Sequence, residues 1–270
     1  MEDVISAPEA TRRVLLSAHR GGCGRSPEVE NTLAAFEAAV QMPIDYIEFD
    51  LQRTADGVLL LNHDNRVRVD GKAPFIADLT AEQVDAACGP LVRYEAVLSL
   101  LAAAGRKAHL DLKFTSPIEL YADPAATFEV DAVRIARSFL PESDFIVTTA
   151  EDRSVRAVRD WADAEGVSVL VGLSIGRHRL TGMRLWEQVV WRIGEMFPGR
   201  RIRRSGANLV VAQRHLARAR LLEWAHKRNL PVLVWTVDNH KEMRRLLADA
   251  RVWMVTSNFP ERGIAMREVA

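Results

Sequence analysis

The 270-residue sequence contains no apolar run approaching the roughly 20 residues that cross a bilayer. It opens on MEDVISAPEATRR, which lacks the basic-then-apolar pattern of a secretory signal. A cytoplasmic protein is therefore expected. It has two cysteines, Cys23 and Cys88, far apart in the chain, which excludes a disulfide framework and a zinc-type ligand cluster. It has no excess of either charge: 36 lysines and arginines balance 36 aspartates and glutamates, which argues against a generic nucleic-acid binder. Gly-rich phosphate loops of the standard kinds are also absent, and with them the main support for a doubly wound nucleotide-binding sheet.

What the chain does have is apolar residues, 48% of the total and ample for a large core. They recur as short runs: RVLLSAH (13–19), DYIEFDLQ (45–52), KAHLDLKF (107–114), DFIVTTA (144–150), VSVLVGLS (167–174), ANLVVA (207–212), LPVLVWTVD (230–238) and VWMVTSN (252–258). Helical patterns such as NTLAAFEAAVQ, RYEAVLSLLAAAG, EVDAVRIARSFL, RSVRAVRDWADAEG and HLARARLLEWAHKRN lie between most of them. Strands alternating with helices in this number predict an α/β fold, a (β/α)8 TIM barrel spanning 1–270 as a single domain. The runner-up is an open doubly wound sheet. A ninth run, GVLLLNHD (57–64), follows the second with no room for a helix, so the second strand is expected to return as a hairpin. A turn centred near Ala55 and Asp56 would set Glu48 opposite His63. Residues 65–92 then read as an irregular insertion before a helix at 94–104.

In KAHLDLKF, alternation puts His109, Asp111 and Lys113 on one face and Leu110, Leu112 and Phe114 on the other. Barrel enzymes carry their chemistry at the C-terminal ends of the strands. There the first run offers His19, the second Glu48 and Asp50, the third Asp111 and Lys113, and the returning hairpin His63. An isolated Glu-x-Asp is ordinarily an exposed edge. With a third carboxylate converging on it, the set suits a hard divalent ion, Mg²⁺ or Ca²⁺. Lys113 supplies a point charge for phosphate, and Arg20 a bidentate clamp. Glycines after Arg20 would let the backbone approach an anion. His19 and His63 then form a candidate acid–base pair, each worth roughly 10²–10⁴ in rate. His178, His215, His226 and His240 read as solvated, and His109 as a satisfied core histidine.

These residues resemble the glycerophosphodiester phosphodiesterases. The resemblance runs through AHRGG, ENTLAAFEAAV, IEFDLQRTADGVLLLNHD and HLDLKF to PVLVWTVDNHKEMRRLL and VTSNFPE. It implies a (β/α)8 barrel that uses a divalent metal to release glycerol 3-phosphate and an alcohol. In that family the substrate's own glycerol 2-hydroxyl attacks, giving a cyclic phosphate that water opens. By this resemblance His19 and His63 match the catalytic histidines, Glu48, Asp50 and Asp111 the metal ligands, and Arg20 and Lys113 the phosphate-binding cations. Trp235 matches a pocket tryptophan and Glu30 a further acid near the site. Three departures stand out. SPEVENT displaces Pro27 and adds Glu28, and NRVRVDGK follows the HD pair in place of the family pattern. Asp111 takes the place of a glutamate, shortening the reach by about 1.5 Å. Asp-x-Lys also resembles the related sphingomyelinase D enzymes, which act on choline phospholipids. Residues 177–206 carry eight arginines and two glutamates, with Leu185, Trp186, Val189, Val190, Ile193, Met196 and Phe197 at helical spacing. Such a stretch is either an ordinary barrel helix or a peripheral membrane contact, and the latter would favour a lysophospholipid over a soluble diester as substrate. Oligomeric state is not readable from the sequence.

Overall fold

The structure, a computed structural model, describes residues 13–22, 24, 26, 28–176, 184, 186, 198–218 and 220–268. Strands form at each of the nine apolar runs: β1 (Leu15–Ala18), β2 (Tyr46–Arg53), β3 (Leu59–Leu61), β4 (Lys107–Leu112), β5 (Phe145–Thr149), β6 (Leu170–Ile175), β7 (Leu209–Gln213), β8 (Val232–Trp235) and β9 (Met254–Ser257). All but β3 pair in parallel, and β1 pairs with both β2 and β9, which closes the ring. This is the expected (β/α)8 barrel, with β3 folded back antiparallel on β2.

Strand alternation sorts the core into two layers. Outward side chains such as Leu16, Phe49, Leu110, Val147 and Val234 pack under the helices. Inward ones, Tyr46, Ile146, Leu209, Val211, Leu233 and Met254, form a separate cluster inside the barrel. Two residues further along, the same inward face turns polar at Ser17, Glu48, His109, Thr148 and Thr256, all buried. The β2–β4 register sets Glu48 beside His109 and Asp50 beside Asp111. Neighbouring strands therefore bring their ionisable rows side by side toward the C-terminal end.

The hairpin register differs from the expected one by a single residue. Leu51 pairs with Leu61, and the Asn62 N–H donates to the Asp50 carbonyl at 3.1 Å, so His63 falls one residue short of the position opposite Glu48. The Thr54 side chain causes this. Its hydroxyl accepts from Val58 N–H at 3.0 Å while Thr54 N–H donates to the Val58 carbonyl at 3.0 Å, centring the turn on Asp56. The insertion after β3 is more regular than expected. It holds a helix at Ala81–Cys88, started by a Thr80/Gln83 capping box, over a small core of Leu60, Val67, Ile76 and Val84.

Helices occupy Leu33–Ala39, Tyr94–Ala103, Phe128–Phe139 and Asp152–Glu165, close to their sequence patterns. The pattern at 215–229 is broken instead, into a 3₁₀ turn at Leu216–Arg218 and a helix at Leu221–His226. Of the basic segment 176–206, the helix Gly199–Ser205 is described and Trp186 is exposed. Leu185, Val189, Val190, Ile193, Met196 and Phe197, like His178, Cys23 and Pro27, lie outside the described residues. Among the described residues no helix is long and apolar enough to cross a membrane.

Candidate active site

Three carboxylates meet at the top of β2 and β4. Oxygens of Glu48, Asp50 and Asp111 lie within 4.8 Å of one another. Glu48 Oε2 accepts from the Arg20 backbone N–H at 2.7 Å. Asp50 is clasped by Asn31, whose amide donates to Asp50 Oδ2 at 3.0 Å and accepts from the Asp50 N–H at 3.1 Å. Lys113 Nζ donates to Asp111 Oδ2 and lies 3.0 Å from Asp50 Oδ1. Arg20 Nε lies 2.8 Å from Asp50 Oδ2, and Arg20 Nη1 donates to Glu30 Oε2 at 2.5 Å.

The two glycines after Arg20 have a packing use. Gly21 and Gly22 both have positive φ, and a Cβ on either would lie 2.7 Å from Ala35 Cβ or Pro260 Cγ respectively. Their smallness lets the loop after β1 turn tightly against the two helices beneath it.

Burial decides the electrostatics. It pushes Glu48 well above the usual carboxylate range, and repulsion from Asp50 and Asp111 adds to the shift. Burial would raise Asp50 as well, but Lys113 and Arg20 outweigh it and hold that carboxyl below the usual range. For Lys113, burial is overcome by Asp111, Asp50 and Glu48, which keep it charged. Four carboxylates, Glu30, Glu48, Asp50 and Asp111, thus face two permanent cations, Arg20 and Lys113. Asp50 Oδ1 is buried and has no partner in hydrogen-bonding geometry, despite the nearby ammonium. An all-oxygen donor set with surplus negative charge and an oxygen left over fits a hard divalent cation.

His19 is held in one tautomer. Its Nδ1 lies 2.6 Å from Asn258 Oδ1. The Asn258 amide is oriented by Asp238, which accepts from Asn258 Nδ2 at 2.9 Å and from the Asn258 N–H at 3.0 Å. The asparagine oxygen therefore faces the imidazole, His19 Nδ1 carries the proton, and Nε2 is left as a base 4.0 Å from Glu48 Oε2. Burial, helped by Arg20, lowers His19 to about 4, so the ring is neutral at pH 7. His63 is more open to solvent, with Nδ1 2.8 Å from Asp64 Oδ1.

His19, Arg20, Glu48, His63, Asp111, Lys113 and Trp235 all line one cavity of about 1120 Å³. Asp50 sits beneath its floor, and Glu30 reaches the site through Arg20. The structure thus brings together residues expected from four separate stretches. Sequence reasoning missed Asn31, Gln52, Thr148, Asp238 and Asn258. Gln52 continues the Glu48–Asp50 row at the same spacing and lines the cavity, a period-2 signal that was open to reading. Asp238 and Asn258 are the last residues of two of the apolar runs, but nothing local to either links it to His19.

A model described as the glycerophosphoryl diester phosphodiesterase family matches residues 19–262. YhdW of Bacillus subtilis, which carries the name of a glycerophosphodiester phosphodiesterase, is 29% identical over 238 residues, covering 86% of this chain and 89% of that protein. The mouse lysophospholipase D GDPD3 is 36% identical over 97 residues, covering 36% of this chain and 27% of its own length. Among solved structures, an Oleispira antarctica phosphodiesterase in complex with the product sn-glycerol-3-phosphate is similar with a TM-score of 0.69 at 17% identity, covering 95% of this chain and 97% of that one. The last likeness concerns the fold.

Proposed function

The chain belongs to the glycerophosphoryl diester phosphodiesterase family and is on that ground a phosphoric diester hydrolase, and from that premise we propose that it cleaves glycerophosphodiesters to glycerol 3-phosphate and an alcohol. The observation that carries this reading is the convergence of two histidines, three carboxylates, Arg20 and Lys113 on a single cavity. Glu48, Asp50 and Asp111 would hold Mg²⁺ or Ca²⁺. When bound, such an ion supplies positive charge to a phosphoryl oxygen. Arg20 and Lys113 bind further phosphate oxygens and offset the charge that grows on them. His19 Nε2, unprotonated and fixed by Asn258, takes the proton of the attacking hydroxyl. His63, at the open side of the cavity, gives a proton to the leaving alkoxide, and Trp235 forms part of the wall against which the substrate packs. The test is glycerol 3-phosphate release from glycerophosphocholine. Turnover that disappears both in EDTA and in His19→Ala supports the reading, and binding without turnover overturns it.

A second reading, lysophospholipase D activity, is favoured by exposed apolar side chains in the segments that follow β1, β3 and β4. Val29, Leu33, Phe75 and Ile118 are exposed; Val29 and Leu33 follow β1, Ile118 follows β4 and Phe75 follows the hairpin strand β3, and a lipid tail could pack against such side chains. The arginine-rich segment 176–206 would add a peripheral membrane contact for an otherwise cytoplasmic enzyme. Cleavage of lysophosphatidylcholine but not glycerophosphocholine selects this reading over the first.

A further inference from the structure

Below the carboxylates runs a buried polar chain that the proposed chemistry does not use. Thr148 on β5 stands directly across from Asp111 on β4. Its hydroxyl lies 2.9 Å from Asp111 Oδ1. On its other side His109 Nε2 lies 3.0 Å from Thr148 Oγ1, and Ser17 Oγ lies 3.4 Å from His109 Nδ1. Ser17, His109 and Thr148 are at most 3% exposed.

Counting protons gives this chain a direction. An ionised carboxylate can only accept, so the Thr148 hydroxyl hydrogen is directed at Asp111. The Thr148 oxygen is then the acceptor for His109, whose Nε2 carries the proton. A neutral ring leaves Nδ1 to accept from Ser17. The competing acceptor for Thr148, the Leu110 carbonyl, is more distant at 3.4 Å. With Lys113 donating to Oδ2, both oxygens of Asp111 are gripped by this chain's own donors and its carboxylate plane is fixed.

We infer that Thr148, backed by His109, is a positioning residue that presents Asp111 to a divalent cation. The inference rests on the reading of Asp111 as a metal ligand. It accounts for a short acid at this position: a carboxylate held from below by a cross-strand hydroxyl does not need the reach of a longer side chain. It also gives His109 a task beyond filling the core. Partners of metal ligands typically contribute about 10–100-fold to metal affinity.

The experiment measures Mn²⁺ affinity by electron paramagnetic resonance and Mg²⁺ and Ca²⁺ affinity by calorimetry. It uses the full chain as wild type, Thr148→Val, Thr148→Ser and Asp111→Asn, with melting temperatures recorded without metal. Thr148→Val keeps the side-chain volume and removes the hydroxyl. It should weaken metal binding about tenfold or more, while Thr148→Ser binds as wild type. Should Thr148→Val fail to fold, Thr148→Ala is measured in its place. Wild-type affinity in the hydroxyl-free variant overturns the inference and leaves the metal site standing. Equal weakening in the serine variant overturns it too, because bulk rather than the hydroxyl then matters. Undiminished binding in Asp111→Asn, or no binding by the wild type, removes the ligand reading itself and the inference with it.

Discussion

Asp45 and Asp50 belong to the same segment of chain but serve opposite ends of the barrel. Asp45, just before β2, accepts from Leu16 N–H at 2.8 Å, from Arg13 at 2.7 Å and from Arg267 at 2.8 Å. Arg267 also donates to the Val14 carbonyl, so this carboxylate fastens β1 to the helix Pro260–Glu268. Every oxygen there is used. Asp50 likewise faces two cations, yet its Oδ1 has no hydrogen-bonding partner and two more carboxylates crowd it. Carboxylate–cation pairing is common to both ends, and what separates a structural site from a chemical one is whether valence is left over. A carboxylate whose oxygens are all taken holds the barrel shut. An under-satisfied cluster stores negative charge that a ligand can meet.

Breaking the comparison should produce effects of different kind and size. Asp50→Asn should lower kcat by about 10² or more, the scale of losing one preorganised electrostatic group, while Asp45→Ala leaves the kcat of the folded enzyme unchanged. Steady-state assays on both variants decide this, and loss of rate in Asp45→Ala would erase the distinction. The stability order is the reverse. Asp45→Ala should cost about 2 kcal/mol, because it strips hydrogen bonds to a charged group and leaves Arg267 without its carboxylate, whereas Asp50→Asn costs less. Urea unfolding of the two proteins measures the difference.

The smallest effect concerns pH. A base at about 4 keeps working in mild acid, so the acidic limb of kcat/KM should fall well below the 6.5 of an ordinary imidazole. His109 is also lowered to about 4 by burial, and its contribution to stability has a definite sign. The unfolded chain takes up the proton first, so the contribution of neutral His109 is present above pH 6.5 and is lost as pH falls from 6.5 toward 4. The difference in unfolding free energy between wild type and His109→Asn, measured at pH 7 and pH 4.5, should shrink at the lower value.

Much of this arrangement was legible in the one-dimensional pattern. Eight apolar runs separated by helical stretches point to a parallel sheet flanked by helices, because period-2 and period-3.6 signals are local. The row His109, Asp111, Lys113 was visible for the same reason. Illegible were the features that depend on a partner far away in the chain. Asn258 and Thr148 are ordinary polar residues until β9 is placed beside β1 and β5 beside β4. The hairpin was misjudged by one residue because the Thr54 hydroxyl, not the Ala55–Asp56 pair, governs the turn. The packing use of Gly21 and Gly22 was illegible because their neighbours, Ala35 and Pro260, lie elsewhere in the sequence.

The Asn258–His19 hydrogen bond spans 239 residues, and this separation has a consequence for the chain as it is made. Synthesis delivers His19 early and its tautomer-setting partner late. Until β9 docks, the imidazole can turn and its proton can sit on either nitrogen. The His19 tautomer is therefore set only with ring closure. A half-made barrel on the ribosome carries the three clustered acids and both histidines, but not the contact that fixes the His19 ring.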